Sequence, residues 1–262
     1  MLASTYVHIQ GIGYSTEKKL WDMGAVTWKD FLRCYRELVL PEGKKALILS
    51  CVEESIQRLS ARDHRFFART LSSREQWRAF SDFHNELVYL DIETTGCSKY
   101  DAITVIGLYD GREVYQFVRG VNMDQFPAVV SKYKMLVTFF GSGFDLPFIR
   151  RHFPDIRLDQ IHVDLCYLLR RLGLSGGLKR IEQNLGIRRR PEVQGLDGYD
   201  AVRLWNEYRL GSDEALELLL LYNEEDIANM KPLLEYGYSQ LVKSLGHPAL
   251  SGEPVNIVPE SC

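Results

Sequence analysis

Two acidic residues, Asp91 and Glu93, stand two positions apart in an otherwise apolar stretch of the chain. The stretch Leu87–Glu93 has the pattern of a β-strand, so both carboxylates point to the same face of a sheet. Carboxylates buried without partners become protonated, pair with bases or bind cations, and hard divalent ions such as Mg²⁺ and Mn²⁺ prefer oxygen ligands. The pair therefore indicates either a metal site or a solvent-facing strand whose acids point to water.

Three more residues, farther along the chain, extend this chemistry. Asp145 follows a glycine-rich turn at 141–143 and opens a helical pattern, where an acid either serves a site or simply caps the helix. Tyr222 and Asp226 lie one helical turn apart, so they share a face. On that face a tyrosine hydroxyl could orient a water while the carboxylate holds an ion. An ordinary amphipathic surface explains the same pair.

The elements that position these residues follow a definite order. Strand patterns and the tight-turn dipeptide Asp110-Gly111 predict an antiparallel start, followed by alternating helices and strands. The predicted strands are Leu87–Glu93, Ile103–Tyr109, Arg112–Val118, Leu136–Phe140 and Gln160–Val163. The predicted helices of this part are Leu146–Phe153, Leu165–Leu172, Leu178–Leu185, Tyr199–Tyr208 and Asp213–Leu241. We therefore expect an α/β fold with a mixed five-stranded sheet flanked by helices.

A smaller helical part precedes the sheet. Residues 8–32 have the pattern of two short helices, the first capped by Ser15 or Thr16 and the second by a capping box of Thr27 and Asp30. The stretch 11–13, Gly-Ile-Gly, resembles a helix-hairpin-helix turn, and a plain packing module explains it equally well. We divide the chain into a helical module (1–36), a helical connector (37–84), the α/β domain (85–243) and a loose C-terminal tail (244–262).

Taken in order, the chemical motifs resemble those of the DEDD exonucleases of the tyrosine subtype, in the DnaQ-like group of the RNase-H-like superfamily. The motifs are Asp91-Ile-Glu-Thr-Thr-Gly96, Phe144-Asp145 and Tyr222-Asn-Glu-Glu-Asp226. Two further stretches, Gly176–Ile187 and Gly198–Trp205, are similar to the bacterial YprB-like subgroup. The resemblance covers about Leu87 to Leu241. It departs from the family at Gly141, where many members carry Asn four residues before the second Asp.

The resemblance implies an RNase-H-like fold and a 3′→5′ exonuclease that releases 5′-mononucleotides from single-stranded DNA or RNA ends with two Mg²⁺ or Mn²⁺ ions. Asp91 is then expected to bridge both ions. Glu93 and Asp226 are expected to bind the ion that carries the attacking water. Tyr222 is expected to position that water, and Asp145 to serve the second ion mainly through water.

Further residues are candidates for contacts with nucleic acid. The resemblance implies that the backbone of Thr94 and Thr95 approaches the 3′-terminal nucleotide. Basic residues between the second and third motifs could follow a phosphate backbone through salt-sensitive contacts that do not depend on base sequence. A solvated charged face explains them equally well. These basic residues are Arg150, Lys179, Arg180, Arg188, Arg189 and Arg190.

Composition bounds the other properties of the protein. The formal net charge of −3 neither requires nor excludes a nucleic-acid partner, because metal ions neutralise clustered acids locally. The five cysteines are scattered and odd in number, which favours reduced thiols over a zinc site or disulfides. The sequence shows no signal-peptide pattern and no apolar run of membrane-spanning length, so we expect a cytoplasmic protein.

Two alternatives to the exonuclease stay open. One is a nucleic-acid-binding protein whose nuclease site has decayed, and the presence of all the acids of the motif set argues against it. The other is an RNase-H-type endonuclease that cuts RNA–DNA hybrids. The pair of Tyr222 and Asp226 favours the exonuclease over this endonuclease.

Overall fold

A mixed sheet of five strands contains Asp91 and Glu93 in its first strand along the chain. The computed structural model describes residues 1–247. The strands are β1 (Leu87–Thr94), β2 (Ile103–Tyr109), β3 (Val114–Val118), β4 (Met135–Thr138) and β5 (Ile161–Asp164). Their spatial order is β3-β2-β1-β4-β5, in which β1 pairs antiparallel with β2 and parallel with β4, and β2 pairs antiparallel with β3. The predicted α/β fold with a mixed five-stranded sheet is therefore confirmed.

Helices precede the sheet and connect its strands. Before the sheet lie α1 (Tyr14–Asp22), α2 (Trp28–Cys34), α3 (Glu42–Ser60), α4 (His64–Thr70) and α5 (Phe80–Phe83). After its first three strands lie α6 (Phe126–Val130), α7 (Asp145–His152), α8 (Leu165–Arg170), α9 (Leu178–Asn184), α10 (Gly198–Arg209) and α11 (Asp213–Leu245). The sequence patterns did not predict the short helix α6. Most of the predicted C-terminal tail, residues 248–262, lies outside the described residues.

The chain folds as two compact units. The first comprises Met1–His84, Asp159–His162 and the described residues from Tyr236 onward. The second comprises Asn85–Leu158 and Val163–Glu235, and it holds all of the candidate catalytic residues. Within residues 1–247, no helix has the length and apolar character needed to cross a membrane.

Alternation along β1 sends its side chains to two faces of the sheet. Val88, Leu90 and Ile92 belong to an apolar core that also contains residues of α6 and α7. A second apolar core joins β2 and β3 to α10 and α11. Asp91 and Glu93 alternate with the first set, so they point toward the face that α11 covers.

The hairpin between β2 and β3 is closed by an acidic side chain. Oδ1 of Asp110 accepts hydrogen bonds from the backbone N–H groups of Arg112 and Glu113, both at 2.9 Å. Gly111 has a φ of 94°, a left-handed value that glycine adopts without steric penalty. The turn forms at the predicted dipeptide. However, β3 begins at Val114 rather than at Arg112, because Asp110 holds the two preceding N–H groups.

Strand β4 is shorter than predicted, since it ends at Thr138 rather than at Phe140. Phe140 has a φ of 63°, in the left-handed region. This conformation costs a residue with a side chain about 1–2 kcal/mol. The Asp164 carboxylate fixes the turn by accepting hydrogen bonds from the backbone N–H of Phe140 at 2.8 Å and of Ser142 at 3.0 Å, and from the Ser142 hydroxyl. The chain therefore leaves the sheet early and turns into α7.

The first unit begins with two short helices, as predicted. Helix α2 has the predicted capping box, in which Thr27 and Asp30 each accept a hydrogen bond from the other's backbone N–H. The predicted cap of α1 is wrong. Its N-cap residue is Gly13, and Ser15 and Thr16 cannot serve because both lie inside the first turn.

A buried ion pair network stabilises this first unit. The guanidinium of Arg78 donates through Nε to Glu75 at 2.6 Å and through Nη1 to both carboxylate oxygens of Glu17 at 3.0 Å. Glu17 also accepts a hydrogen bond from the backbone N–H of Tyr6 at 2.6 Å. Burial raises the pKa of Glu17, and Arg78 opposes that shift. The network therefore ties the segment before α1 to α1 and to the short helix Ser73–Ala79.

Candidate active site

Asp91, Glu93 and Asp226 come together although they lie on two different elements, β1 and α11. Each offers one carboxylate oxygen, and these oxygens all lie within 4.8 Å of one another. Glu93 and Asp226 are buried, and Asp91 is half-buried. Oε1 of Glu93 is buried without a hydrogen-bond partner among the described residues. An unpaired carboxyl oxygen beside two further carboxyl groups can be satisfied by a proton or by a cation, and these oxygen donors fit a hard divalent ion.

Asp145, the fourth predicted acid, is tied to the same strand. It is buried at the start of α7, and its Oδ1 accepts a hydrogen bond from the backbone N–H of Ile92 at 3.1 Å. Ile92 lies between Asp91 and Glu93 in β1. The carboxylate of Asp145 is thus held beside the other acids by the strand itself, and a role limited to capping α7 does not account for this contact.

The crowding of buried acids raises their affinity for protons. Burial raises the pKa of Asp145 to about 7, against the hydrogen bond from the backbone and with help from neighbouring carboxylates. Burial and the adjacent acids hold the pKa values of Asp91 and Glu93 well above their usual range. Burial also raises the pKa of Asp226, although Arg189 opposes the shift. The cluster therefore binds protons tightly, and cations that replace those protons relieve the repulsion.

Tyr222 lies one helical turn before Asp226 and is buried. Its hydroxyl accepts a hydrogen bond from Nζ of Lys179 at 2.6 Å, and the Lys179 ammonium lies 4.3 Å from the ring centroid. Lys179 also donates to the carbonyl oxygen of Leu196. Burial and the charges of Asp226 and Glu93 raise the pKa of Tyr222 above its ordinary value. The hydroxyl keeps its own proton, which it can donate to an acceptor in the site.

Asn223 is a site residue that the sequence patterns missed. Its Nδ2 donates to Oδ2 of Asp91 at 3.0 Å, and the side chain is fully buried. Gly107 of β2 faces Asp91 in the strand register, and a Cβ at Gly107 would lie 2.0 Å from Oδ1 of Asn223. A glycine in the middle of an apolar strand marks a close approach, so Gly107 was the available signal.

Arg189 and Glu182 form the basic side of the cluster. Arg189 donates to both carboxylate oxygens of Glu182 and to Oδ1 of Asp226. Burial disfavours the charge of Arg189, but the ion pairs with these two acids outweigh it and raise its pKa. Glu182 was not predicted, because a single acid seven residues before an arginine in sequence carries no recognisable pattern.

The other predicted basic residues lie elsewhere. Arg190 pairs with Glu224 at 2.7 Å and with Glu225 at 3.2 Å, so it holds its segment against α11. Arg150, Arg180 and Arg188 are exposed. Of the six predicted basic residues, the structure therefore places Lys179 and Arg189 at the acid cluster.

Thr94 and Thr95 lie at the end of β1, next to the acids. The hydroxyl of Thr94 donates to the carbonyl oxygen of Gly96 at 2.7 Å. The hydroxyl of Thr95 donates to Asp101 at 3.0 Å, and its backbone N–H donates to the carbonyl oxygen of Ala102 at 2.9 Å. These contacts close the loop between β1 and β2. The expected approach of this backbone to a nucleotide stays a prediction.

Gly141, the departure from the family pattern, has no room for a side chain. A Cβ at this position would lie 2.3 Å from Oγ1 of Thr138. The left-handed residue of the same turn is Phe140, and asparagine adopts that conformation more readily than most residues. The glycine is therefore required by the close packing of this turn.

Some proteins of known structure are similar to this chain. No curated protein sequence matches the chain. Among solved structures, the chain is similar to the family B DNA polymerase from the hyperthermophilic archaeon Pyrobaculum calidifontis, with 18% sequence identity and a TM-score of 0.47, over 63% of this chain and 26% of the polymerase. It is also similar to the EXO domain of Nibbler from Aedes aegypti, with 14% identity and a TM-score of 0.36, over 65% of this chain and 91% of that domain.

The part of the chain that contains the candidate acids matches a known protein family. Residues 88–238, more than half of the 262-residue chain, match the RNase_H superfamily. The matched part contains Asp91, Glu93, Asp145, Tyr222 and Asp226, together with nearly the whole five-stranded sheet. The chain therefore belongs to the RNase H superfamily, and its core has the RNase-H-like fold.

Proposed function

We propose that the chain is a metal-dependent nuclease that removes 5′-mononucleotides from the 3′ end of single-stranded DNA or RNA. The observation that carries this proposal is the meeting of Asp91, Glu93 and Asp226, whose carboxylate oxygens lie within 4.8 Å of one another in an RNase-H-like fold. Such a cluster suits the hydrolysis of phosphodiesters. Tyr222, on the same helical face as Asp226, supports the 3′→5′ direction through the resemblance to the tyrosine subtype.

Asp91, Glu93 and Asp226 would hold one divalent ion, and Asp145 with Asp91 would hold a second. Mg²⁺ or Mn²⁺ bound there supplies a Lewis acid for the phosphate oxygens and lowers the pKa of a bound water. The protein fixes the acids in advance. Asn223 orients Asp91, and the backbone N–H of Ile92 orients Asp145.

Tyr222 acts as a hydrogen-bond donor that positions the attacking water. Lys179 donates to its hydroxyl oxygen at 2.6 Å, so the O–H bond of Tyr222 points elsewhere. Burial and the nearby acids raise the pKa of Tyr222, which favours the protonated hydroxyl at neutral pH. Lys179 is a positioning residue, because it acts through the tyrosine.

We propose that contacts with the rest of the nucleic acid come from exposed residues outside the acid cluster. Arg150, Arg180 and Arg188 are exposed, and we propose that they contact phosphates along a single strand. Thr94 and Thr95 form the strand end closest to the acids in sequence, and we propose that their backbone borders the 3′-terminal nucleotide.

Labelled oligonucleotides test the direction and the polymer. The full chain is incubated with linear single-stranded DNA and RNA, labelled at the 3′ or the 5′ end, in Mg²⁺ or Mn²⁺. We expect immediate release of labelled mononucleotide from the 3′ label and progressive shortening of the 5′-labelled strand. A matched control is Asp155→Asn, which removes an exposed acid of the same unit and should leave the rates unchanged.

A circular single strand of the same sequence separates the alternatives. An exonuclease leaves it intact, whereas cleavage of the circle or of an RNA–DNA hybrid duplex would identify an endonuclease of the RNase H type. Binding without hydrolysis of either polymer in either metal would identify a nucleic-acid-binding protein and would refute the proposed activity.

A further inference from the structure

An arginine side chain lies buried against the acid cluster. Arg189, in the segment after α9, is 7% exposed, and its partner Glu182 on α9 is 2% exposed. Nε and Nη2 of Arg189 donate to the two carboxylate oxygens of Glu182, each at 2.7 Å. Nη2 also donates to Oδ1 of Asp226 at 2.5 Å. A bidentate ion pair thus holds the guanidinium in one orientation, directed at an acid of the candidate active site.

The arginine has more donors than these two acids use. A guanidinium carries five N–H donors, one on Nε and two on each Nη. Glu182 and Asp226 accept three of them. Nη1 is buried and has no hydrogen-bond partner in the part of the chain that the structure describes. Since buried donors in proteins are nearly always satisfied, the two N–H groups of Nη1 indicate a partner from outside the described residues.

The position of these donors restricts what that partner can be. Cζ of Arg189 lies 6.0 Å from the ring centroid of Tyr222, and Asp226 belongs to the three-acid cluster. A group that enters here meets a cationic pair of N–H donors on one side and carboxylates that attract divalent ions on the other. A phosphate oxygen suits both, because it accepts hydrogen bonds from arginine and binds hard cations.

Glu182 argues against a purely neutralising role for the arginine. Glu182 is a second buried carboxylate that pairs with Arg189. Its negative charge offsets the positive charge of the arginine, so Arg189 neutralises the acid cluster less well. What the bidentate pair does provide is a guanidinium that cannot rotate. Fixed donors lose little conformational entropy when they bind a ligand, and that is useful for holding a phosphate.

We propose that Nη1 of Arg189 binds a non-bridging oxygen of the 3′-terminal phosphodiester, and that Glu182 is a positioning residue that holds the guanidinium in place. This proposal rests on the nuclease function proposed above and names how the same site holds its phosphate. The neighbouring arginines differ, since Arg188 is exposed and Arg190 pairs with Glu224 and Glu225.

The test compares Arg189→Lys and Glu182→Gln with the control Arg209→Lys, which changes an exposed arginine at the end of α10. Lysine keeps the charge but loses the fork of donors. Binding of a 5′-mononucleotide is measured by calorimetry with Ca²⁺ present, and turnover is measured with Mn²⁺. We expect Arg189→Lys to weaken mononucleotide binding about tenfold and to lower kcat about 100-fold. Glu182→Gln should lower kcat about tenfold, with Mn²⁺ affinity changed less than about threefold. Arg209→Lys should match the wild type in mononucleotide affinity, kcat and Mn²⁺ affinity.

The outcomes separate this proposal from the proposed function. Weaker mononucleotide binding by Arg189→Lys supports the phosphate contact even if the wild type hydrolyses no substrate, and only the nuclease proposal then fails. Unchanged mononucleotide affinity and kcat in Arg189→Lys would overturn the phosphate contact. Higher turnover or tighter Mn²⁺ binding would also overturn it, because Arg189 would then compete with cations at Asp226. If Arg189→Lys does not fold, Glu182→Gln tests the phosphate contact instead, because it keeps the shape of the side chain. Its expected loss of about tenfold in kcat then supports the contact, and an unchanged kcat overturns it.

Discussion

Asn223 on α11 donates a hydrogen bond from Nδ2 to Oδ2 of Asp91 on β1 at 3.0 Å, across 132 positions of sequence. The contact depends on Gly107, which faces Asp91 from the neighbouring strand and leaves the space that the Asn223 side chain fills. One glycine and one amide therefore set the orientation of the acid that we place between the two ions.

This arrangement predicts coupled effects of Gly107→Ala and Asn223→Ala on stability. In the wild-type background a Cβ at position 107 would lie 2.0 Å from Oδ1 of Asn223, so Gly107→Ala should destabilise the protein by about 1–3 kcal/mol. Asn223→Ala empties that space, and the double variant should be less destabilised than the sum of the single variants. Urea unfolding of the four proteins measures the coupling. Strictly additive losses would show that the two side chains do not share this space.

Tyr222→Phe is predicted to lower the turnover rate without weakening substrate binding. The variant keeps the packing of the ring but loses the hydroxyl that we expect to orient the water, so kcat should fall about 100-fold and KM should change by less than about threefold. Lys179→Met should give a smaller loss in kcat, about tenfold, because Lys179 positions the water indirectly, through its hydrogen bond to Tyr222. Steady-state kinetics on a single-stranded oligonucleotide separates the two parameters. A raised KM with unchanged kcat would instead assign Tyr222 to substrate binding.

The sequence alone predicted which acids share a face when those acids lie in the same strand or helix. The alternation of β1 predicts that Asp91 and Glu93 share a face, and the helical period predicts that Tyr222 and Asp226 do so. Both relationships are local, since they depend on the spacing of residues within one element. The antiparallel start and the later strands follow from equally local patterns, which is why the fold was predictable.

Long-range contacts account for what the sequence could not predict. The end of β4 depends on Asp164, which lies 24 positions from Phe140 and forces the turn by holding its backbone N–H. The contact of Arg189 with Asp226 and the contact of Asn223 with Asp91 likewise join segments that only the tertiary structure brings together. Composition and periodicity cannot predict which residues pair in this way.

His8 predicts how the stability of the first unit depends on pH. Burial lowers the pKa of His8 to about 4, with a smaller contribution from the nearby Arg78, and its Nε2 hydrogen-bonds with Ser55 at 2.8 Å. The folded state therefore binds the His8 proton more weakly than the unfolded chain does. The stability that His8 contributes is complete above about pH 6.5 and is lost as the pH falls toward about 4.

By pH 5 this loss should reach about 2 kcal/mol in the free energy of unfolding. His8→Gln removes the titrating group, so the variant should lose less stability than the wild type between pH 7 and pH 5. Denaturant unfolding at both pH values measures the difference, and His84→Gln provides a control because His84 is exposed. Parallel losses in the wild type and in His8→Gln would contradict the assignment.

Asp91→Asn tests the central claim most directly, because it removes one charge from the cluster and nearly preserves the shape of the side chain. Hydrolysis of a 5′-labelled single-stranded oligonucleotide in Mn²⁺ is compared among the wild type, Asp91→Asn and the control Asp155→Asn, with thermal unfolding to verify the fold. We expect the rate of Asp91→Asn to fall at least about 1,000-fold while the fold survives and the control stays at the wild-type rate. A folded Asp91→Asn protein that degrades the strand at a rate close to the wild type would contradict a metal-dependent active site at this cluster.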